Sequence, residues 1–255
     1  MQKTGAADIT AALLIIGDEI LSGRTRDANL PQLAEWLNAR GVRLREVRIV
    51  PDRTETIVDA VNVLRRAHDY LFTTGGIGPT HDDITADAIA RAFDVPLEAH
   101  PDAYDLLAAH YADGDFTPAR QRMARVPAGG ALIDNPVSVA PGFRIGNVFV
   151  LAGVPQIMRA MLDSLAHEVA GGDPMLSRTL GIPMPESAFA ADLEQLQTAH
   201  PEVQIGSYPY YRDGRASLHV VMRSTDIDHL ETLTGLVAAA ARAHGVEPID
   251  HPGEG

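Results

Sequence analysis

Cysteine is absent from this chain of 255 residues, and so is any apolar run long enough to span a bilayer. The lack of cysteine excludes disulfides, thiolate metal sites and cysteine nucleophiles. The stretch Met1–Thr10 carries one lysine and no apolar core, so it lacks the pattern of a signal peptide. We therefore expect a cytoplasmic protein that does not have a membrane as its partner.

Basic residues are scarce as well, because 21 Lys and Arg stand against 34 Asp and Glu, and the formal net charge is −13. A surface that binds nucleic acid needs clustered positive charge, so we do not expect nucleic acid as the main partner. A phosphate ester would have to be held against this net charge by local groups. Backbone amides at helix starts, a few arginines or a divalent cation can do so.

Several familiar catalytic motifs are also missing. The ten histidines show neither the His-Glu-x-x-His nor the His-x-His spacing of histidine zinc sites. No P-loop is present, which argues against a conventional kinase or ATPase. Ser22 and Ser138 lack the surroundings of a nucleophile elbow, so a serine hydrolase triad is not expected.

Short apolar runs alternate with helical patterns over the first two-thirds of the chain. The predicted strands are Ile9–Ile16, Val42–Val50 and Tyr70–Thr74, and helices are predicted from Asp27 or Asn29, from Thr54 and over Asp82–Phe93. Such alternation predicts an α/β fold with a mostly parallel sheet covered by helices. The other predicted elements are a helix over Pro101–Arg125, a hairpin of Gly142–Ile145 and Val148–Ala152, and a helix from Pro155.

A composition break at Gly171–Pro174 predicts a linker between two domains. Residues 1–171 form the predicted α/β domain, and residues 175–250 form a small α+β domain. The second domain is predicted to contain a strand over Arg178–Ile182, a helix over Glu186–Ala199, strands over Val203–Tyr210 and Ala216–Arg223, and a helix capped by Asp226. Its predicted order of elements is therefore β-α-β-β-α.

The strongest functional signal is the segment Thr73–Thr85, here called the glycine segment, which lies between a predicted strand end and a helix start. Its glycines let the backbone approach a ligand, its threonines offer hydroxyl donors, and free amides at the helix start suit an anion. Two adjacent carboxylates next to such a site suit a divalent cation such as magnesium or manganese. The candidate residues are Thr74, Gly75, Gly76, Gly78, Thr80, Asp82, Asp83 and Thr85. The alternative is a structural turn in which Asp82 and Asp83 only cap the helix.

Other polar segments follow the remaining strands and reach the same carboxyl edge of the predicted sheet. Ser22, Arg24, Arg26 and Asn29 are candidates for phosphate or ribose contacts, and Asp18 and Glu19 are candidate metal ligands. Asp52 follows the second strand and is either a site residue or a helix N-cap. Gly153 ends a later strand just before a helix that opens with proline, which gives a second helix start suited to an anion. Asn135–Phe143 is a further candidate loop.

The glycine segment resembles the glycine-rich motif of the molybdopterin-binding family that includes MogA, MoaB and gephyrin-type domains. Gly17–Asn29, the pair Asp82-Asp83 and Asn135–Phe143 resemble the N-terminal domain of CinA-type proteins, and the small second domain resembles their middle domain. The resemblance implies a three-layer α/β/α sandwich, a dimer or trimer, and a ligand that is a pterin phosphate or a nucleotide diphosphate. It also implies that Asp83 is the catalytic aspartate of the motif and that Asp52 is a second acidic site residue.

Three functional hypotheses follow. The first, which the resemblance to CinA-type domains implies, is a pyrophosphatase that depends on Mg, Mn or Co and acts on ADP-ribose or a related dinucleotide. Asp82 and Asp83, with Asp52 or Glu19, would hold the cation, while the glycine amides, Thr74 and Thr80 would hold phosphate oxygens. The second hypothesis is a protein that binds or adenylylates molybdopterin. The third is a binding module that has kept the fold without the chemistry.

Overall fold

The computed structural model describes residues 9–112, 114–212 and 214–251. The chain divides into two compact units, Met1–Gly172 and Asp173–Gly255, which are called the N-terminal and C-terminal domains below. None of the helices in the described ranges is long and apolar enough to cross a membrane.

The first half of the N-terminal domain alternates strands with helices, as its sequence pattern predicts. Its elements are β1 (Thr10–Ile16), α1 (Asp18–Leu21), α2 (Asn29–Asn38), β2 (Arg43–Val50), α3 (Thr54–Ala67), β3 (Tyr70–Thr74) and α4 (Thr85–Phe93). The second half contains β4 (Leu97–Ala99), α5 (Pro101–His110), α6 (Pro118–Gln121), β5 (Arg125–Pro127), β6 (Ala131–Ile133), β7 (Gly142–Ile145), β8 (Val148–Leu151) and α7 (Pro155–Ser164).

The central sheet has six strands in the order β2-β1-β3-β8-β7-β6. The pairs β1–β2, β1–β3 and β3–β8 are parallel, whereas β7 runs antiparallel to both β8 and β6. The prediction of a mostly parallel sheet is therefore confirmed. Because β1, β2, β3 and β8 all run in the same direction, the segments that follow them emerge at one edge of the sheet.

Helices cover both faces of this sheet, which gives the three-layer α/β/α sandwich. Successive residues of β1 point to opposite faces. Leu14 belongs to a buried cluster with residues of α3 and α4, and Leu13 belongs to another with residues of α2 and α7. Both leucines are fully buried. The continuous apolar run of β1 is thus explained, because a central parallel strand is buried on both faces.

The helix predicted over Pro101–Arg125 is wrong beyond its first part. The helix α5 ends at His110, and the short α6 begins only at Pro118. A 3-10 turn then covers Arg122–Ala124, and β5 begins at Arg125 and pairs with β4. The break begins at Tyr111, whose backbone is extended (φ −86°, ψ 140°), and Gly114, with a φ of 86°, also lies outside the right-handed helical region.

The C-terminal domain is a four-stranded antiparallel sheet with two helices. Its elements are β9 (Leu176–Ile182), α8 (Glu186–Ala199), β10 (Gln204–Arg212), β11 (Arg215–Ser224), α9 (Ile227–Ala243) and β12 (Ile249–His251). The strand order is β10-β11-β9-β12, and Phe189, Leu233 and Val237 lie in the core shared by helices and sheet. The prediction missed β12, whose three residues are too few to show the alternation of a strand.

Substitution of Leu64 by alanine is expected to destabilise the N-terminal domain by about 2–5 kcal/mol, because it leaves a cavity in the core. Leu64 lies on the inner face of α3 and is fully buried, while its neighbour Val63 is 49% exposed. Urea unfolding followed by the fluorescence of Trp36, the only tryptophan of the chain, reports on this domain. Val63→Ala is the matched control and should change the free energy of unfolding little. Equal effects of the two substitutions would contradict the described packing.

Candidate functional site

Four loops meet at the carboxyl edge of the parallel strands. Gly17 and α1 follow β1, Asp52 follows β2, the glycine segment follows β3, and Gly153 follows β8. The alignment is direct, since Ile15 pairs with Thr74 and Thr74 pairs with Leu151. The sequence-based expectation that these loops share one edge of the sheet is therefore met in the structure.

Two glycines allow the loops to approach each other closely. Gly75 takes a φ of 100°, and a Cβ placed on it would collide with the carbonyl oxygen of Ile16. A Cβ on Gly153 would lie 3.2 Å from the Cα of Gly75. Glycine is needed at position 75 for both reasons, since other residues rarely take this φ and a side chain would displace the end of β1.

The glycine segment is also tied to the start of α4. Thr85 Oγ1 donates to the carbonyl oxygen of Gly75 at 2.9 Å, and the amide of Thr85 donates to the carbonyl oxygen of Gly76 at 3.0 Å. Thr85 is fully buried, so its hydroxyl shapes the loop and is not available to a ligand. The helix begins at Thr85 and not at Asp82 as predicted, and no side chain caps it. The two aspartates therefore do not cap this helix, although Asp83 does have a structural role in the turn that precedes it.

Asp83 is held in place by the loop itself. Its Oδ2 accepts hydrogen bonds from the amide of Thr80, at 2.8 Å, and from the Thr80 hydroxyl. The carboxylate lies over Gly78, where an added Cβ would be only 2.7 Å from Oδ2. Thr80 thus positions Asp83, and Gly78 leaves the room that this carboxylate occupies.

Asp52 lies at the end of β2 and is surrounded by other acidic side chains. Burial raises the pKa of Asp52, and the charges of Asp18, Glu19 and Asp82 raise it further, while a hydrogen bond from the amide of Asp18 opposes them. That bond is 2.9 Å long and ends on Asp52 Oδ2. The N-cap of α3 is Arg53, so Asp52 does not cap this helix. These four carboxylates are called the acidic group below.

The acidic group is not a preassembled metal cage. Within the described ranges, no three His, Asp or Glu side chains are placed so that they could hold a metal ion together. The carboxylate oxygens of the acidic group are nevertheless the kind of ligand that a hard divalent cation prefers. Magnesium is commonly bound by one or two protein carboxylates together with substrate phosphates and water, so the donors fit a cation that binds with a phosphate ligand.

A first cleft, here called the threonine cleft, opens between β1, β3, α2 and the start of α7. It encloses about 380 Å³ with its mouth included, and Glu19, Arg26, Asn29, Thr74, Gly75 and Gly153 line it beside the apolar Ile15, Ile16 and Ile20. Asn29 Nδ2 donates to the carbonyl oxygen of Gly153 at 2.8 Å and so links α2 to the end of β8. Asp27 accepts from the amides of Asn29 and Leu30, which holds the start of α2.

Two buried polar atoms at this cleft lack partners. Thr74 is 1% exposed and Asn29 is 5% exposed. In the part of the chain that the structure describes, neither Thr74 Oγ1 nor Asn29 Oδ1 has a hydrogen-bond partner. Buried polar groups are nearly always satisfied by protein, water or ligand, so each of these two atoms leaves a hydrogen bond to be made at the cleft.

A second cleft, here called the arginine cleft, flanks the other half of the glycine segment. It encloses about 350 Å³ including its mouth, and its lining contains Gly76, Gly78, Asp83, Arg122, Arg125 and Phe143. Sequence reasoning missed these arginines because it placed them on the surface of one long helix. A signal was present, since Arg120, Arg122 and Arg125 lie within six residues of a chain with a net charge of −13.

Other predicted residues lie outside the clefts or support them indirectly. Ser22 is exposed, and its hydroxyl donates to the carbonyl oxygen of Glu19 at 3.2 Å. Asn135 organises its own loop, since its Oδ1 accepts from the amides of Val137 and Ser138 and its Nδ2 donates to the carbonyl oxygen of Ala140. This loop contributes Pro141 to the wall of the arginine cleft.

Substitution of Asp52 by asparagine is expected to raise the melting temperature of the N-terminal domain at pH 7. A raised pKa in the folded state means that the ionised carboxylate opposes folding, so wild-type stability falls as the pH rises from 3.8, the ordinary value, through the raised value. The gain should therefore be present at pH 7 and vanish below the ordinary pKa. Thermal melts followed by Trp36 fluorescence measure it. The control is Asp59→Asn, an exposed site on α3 with the same charge change, and a larger gain there would contradict the electrostatic account.

Comparison with known proteins places both domains. The family described as a probable molybdopterin binding domain matches residues 12–171, and the family described as the middle domain of FAD synthase matches residues 174–249. A CinA-like protein from Citrifermentans bemidjiense is 37% identical over 227 residues, which cover 85% of this chain. The chain spans only 54% of that relative.

Relatives of similar length extend the comparison. A protein from Archaeoglobus fulgidus is 30% identical over 197 residues, which cover 77% of this chain and 84% of that protein. The crystal structure of CinA from Thermoplasma acidophilum, described as having unknown function, is 33% identical with a TM-score of 0.60. It covers 62% of this chain and 96% of that one. The chain therefore belongs to the family of probable molybdopterin-binding domains, and CinA-like proteins are among its relatives.

Proposed function

We propose that this protein is a pyrophosphatase that depends on a divalent cation and cleaves ADP-ribose or a related dinucleotide. The observation that carries the proposal is the position of the acidic group, which lies beside an amide-rich glycine segment flanked by two clefts. Glycine amides suit phosphate oxygens, and carboxylates suit the cation that phosphates bring with them. A diphosphate across the glycine segment would contact both kinds of group.

The cation would be held by the substrate phosphates together with one or two of the carboxylates of Asp82, Asp83, Asp52 and Glu19. When bound, it neutralises phosphate charge and polarises the bond to be cleaved. Magnesium, manganese and cobalt are the candidates, because oxygen ligands suit hard cations best. A cation among these carboxylates would also relieve the repulsion that raises the pKa of Asp52.

The remaining steps fall to side chains and amides of the chain itself. When other carboxylates hold the cation, Asp52 is left to accept a proton from the attacking water. Asp83 keeps a fixed orientation through its bonds to Thr80. The amides of Gly75, Gly76 and Gly78 would hold phosphate oxygens, and Thr74 Oγ1 and Asn29 Oδ1 would bind polar groups of the nucleoside.

A second candidate function is the binding or adenylylation of molybdopterin. The observation in its favour is the threonine cleft, where the apolar Ile15, Ile16 and Ile20 could pack on a flat heterocycle and polar side chains lie beside them. The matched domain family also carries molybdopterin in its description. A binding module without catalysis would use the same cleft. Saturable molybdopterin binding and an ATP-dependent product would favour the second candidate, and binding without turnover would favour the module.

The place where the protein works and its assembly belong to the same proposal. A cytoplasmic location accords with a chain that contains no cysteine and needs no oxidising compartment. A homo-oligomer, either a dimer or a trimer, is what the resemblance to MogA-type and CinA-type proteins implies. A small-molecule nucleotide or pterin phosphate is the proposed partner, since the clefts lie next to a loop suited to phosphate.

Replacement of Asp83 by asparagine is expected to lower the rate of AMP release from ADP-ribose by about 100–1000-fold, as removal of one preorganised electrostatic group typically does. Asparagine keeps an oxygen that can accept from Thr80, so the loop should stay folded. The measurement is AMP release by full-length protein with magnesium, manganese or cobalt. Asp59→Asn is the control for the lost charge.

The two outcomes of that assay differ clearly. Cation-dependent release of AMP that is lost in Asp83→Asn and retained in Asp59→Asn would support the pyrophosphatase. Turnover by Asp83→Asn at the wild-type rate would show that Asp83 has no role in catalysis. An absence of turnover in the wild type, with ADP-ribose raising its melting temperature, would favour the binding module instead.

A further inference from the structure

We infer that Arg122 and Arg125 form an anion subsite that takes a phosphate group of the substrate in the arginine cleft. A diphosphate substrate that starts in the threonine cleft would cross the glycine segment. The subsite would hold the phosphate on the far side of that segment. The identity of that substrate rests on the proposed function, but the binding of an anion by these two arginines does not.

The arginine cleft is separate from the threonine cleft, although both border the glycine segment. Gly75 lines the threonine cleft, whereas Gly76 and Gly78 line the arginine cleft, and the two linings have no residue in common. The threonine cleft lies on the side of α2 and α7. The arginine cleft lies on the side of α4, which contributes Ala86, so a ligand that reaches both must cross the glycine segment.

Arg125 is held in place by a contact to α4. Its Nη2 donates to Asp87 Oδ2 of α4 at 3.1 Å. Its Nε is buried and has no hydrogen-bond partner within the described residues. Nε and Nη2 lie on the same edge of a guanidinium group, so Asp87 lies at that edge and an anion would be bound from the Nη1 side.

Arg122 supplies a second positive charge to the same cleft. It lies in the 3-10 turn directly before β5 and is partly buried. The turn ends where β5 begins at Arg125, and the side chains of Arg122 and Arg125 line one cavity. The two guanidinium groups at this cavity offset the nearby carboxylates of Asp83 and Asp87, in a chain whose net charge is −13. Their forked donors match the oxygens of a phosphate.

The walls of the cleft strengthen this preference. Ile77, Met123, Pro141 and Phe143 line it between the charged groups. Apolar walls exclude water, so the attraction between a guanidinium group and a phosphate is weakened less by solvent. Asp83 borders the same cavity and would repel an anion by itself. Anion binding should therefore strengthen when a divalent cation neutralises that carboxylate.

The subsite predicts a particular form of substrate selection. A dinucleotide diphosphate would extend from the threonine cleft over the glycine segment to the two arginines. AMP, with a single phosphate, would occupy the threonine cleft and the glycine segment alone. Loss of the arginines should weaken the binding of a diphosphate and leave the binding of AMP unchanged.

The test is calorimetric titration of the full chain with methylenediphosphonate, a diphosphate mimic that cannot be hydrolysed, in the presence of magnesium. Arg122→Gln and Arg125→Gln should each weaken its binding at least fivefold, and the double variant more, while the affinity for AMP stays within twofold. Arg66→Gln is the control, since Arg66 is exposed on α3 and the change removes the same charge. Arg125→Lys and melts followed by Trp36 fluorescence separate a lost anion contact from a damaged fold.

Each outcome has a definite meaning. If the double variant binds methylenediphosphonate as tightly as Arg66→Gln does, the subsite is refuted. An equal loss of AMP and diphosphonate binding would refute it too. If the arginines bind the probe but no nucleotide is cleaved, the subsite stands and the pyrophosphatase fails. If the double variant cleaves ADP-ribose with an unchanged KM, the pyrophosphatase stands and the subsite fails.

Discussion

The close approach of Gly75 to the end of β1 is the constraint on which the site depends. The backbone at position 75 takes a left-handed φ, and its Cα lies against the carbonyl oxygen of Ile16 on one side and Gly153 on the other. Three loops from three parallel strands can therefore meet without side chains between them. The glycine segment then turns back at Thr85, which fastens it to α4. The two clefts lie on either side of this crossing.

The negative charges of the acidic group do not stabilise the fold. Asp52 is partly buried beside three other carboxylates, and its pKa is raised because each of these conditions disfavours its ionised form. Among the described residues, the bond from the amide of Asp18 is what compensates for it. Functional sites often carry such a local loss of stability, because a charge poised for a ligand has no partner in the free protein. The unpartnered Thr74 and Asn29 atoms belong to the same pattern.

The sequence predicted the elements with strong periodicity and the loops that follow them. The apolar run of β1 and the helix that starts at Thr54 were identified because burial leaves a regular trace in a sequence. The acidic and glycine-rich loops were found because parallel strands direct their carboxyl ends to one edge. Roles within the glycine segment were harder to assign. Thr85 and Thr74 look alike in the sequence, yet the Thr85 hydroxyl donates to Gly75 while the Thr74 hydroxyl has no partner among the described residues.

The arginine cleft shows why the other site residues could not be predicted from the sequence. Arg122 and Arg125 are distant in sequence from the glycine segment, and only the 3-10 turn and β5 bring them beside Gly78. A pattern read as one polar helix gives no direction for either side chain. The pairing of Arg125 with Asp87 likewise joins residues 38 positions apart. Contacts of this kind depend on tertiary packing, which local periodicity does not encode.

The central claim is that the acidic group and the glycine segment cleave a diphosphate with the help of a divalent cation. The most direct measurement is phosphorus NMR of ADP-ribose incubated with the full chain, with and without magnesium, manganese or cobalt. The account predicts that the diphosphate resonances disappear only when a cation is present and that two phosphomonoester resonances replace them. Diphosphate resonances that persist with every cation, together with an unchanged melting temperature of the protein, would contradict it.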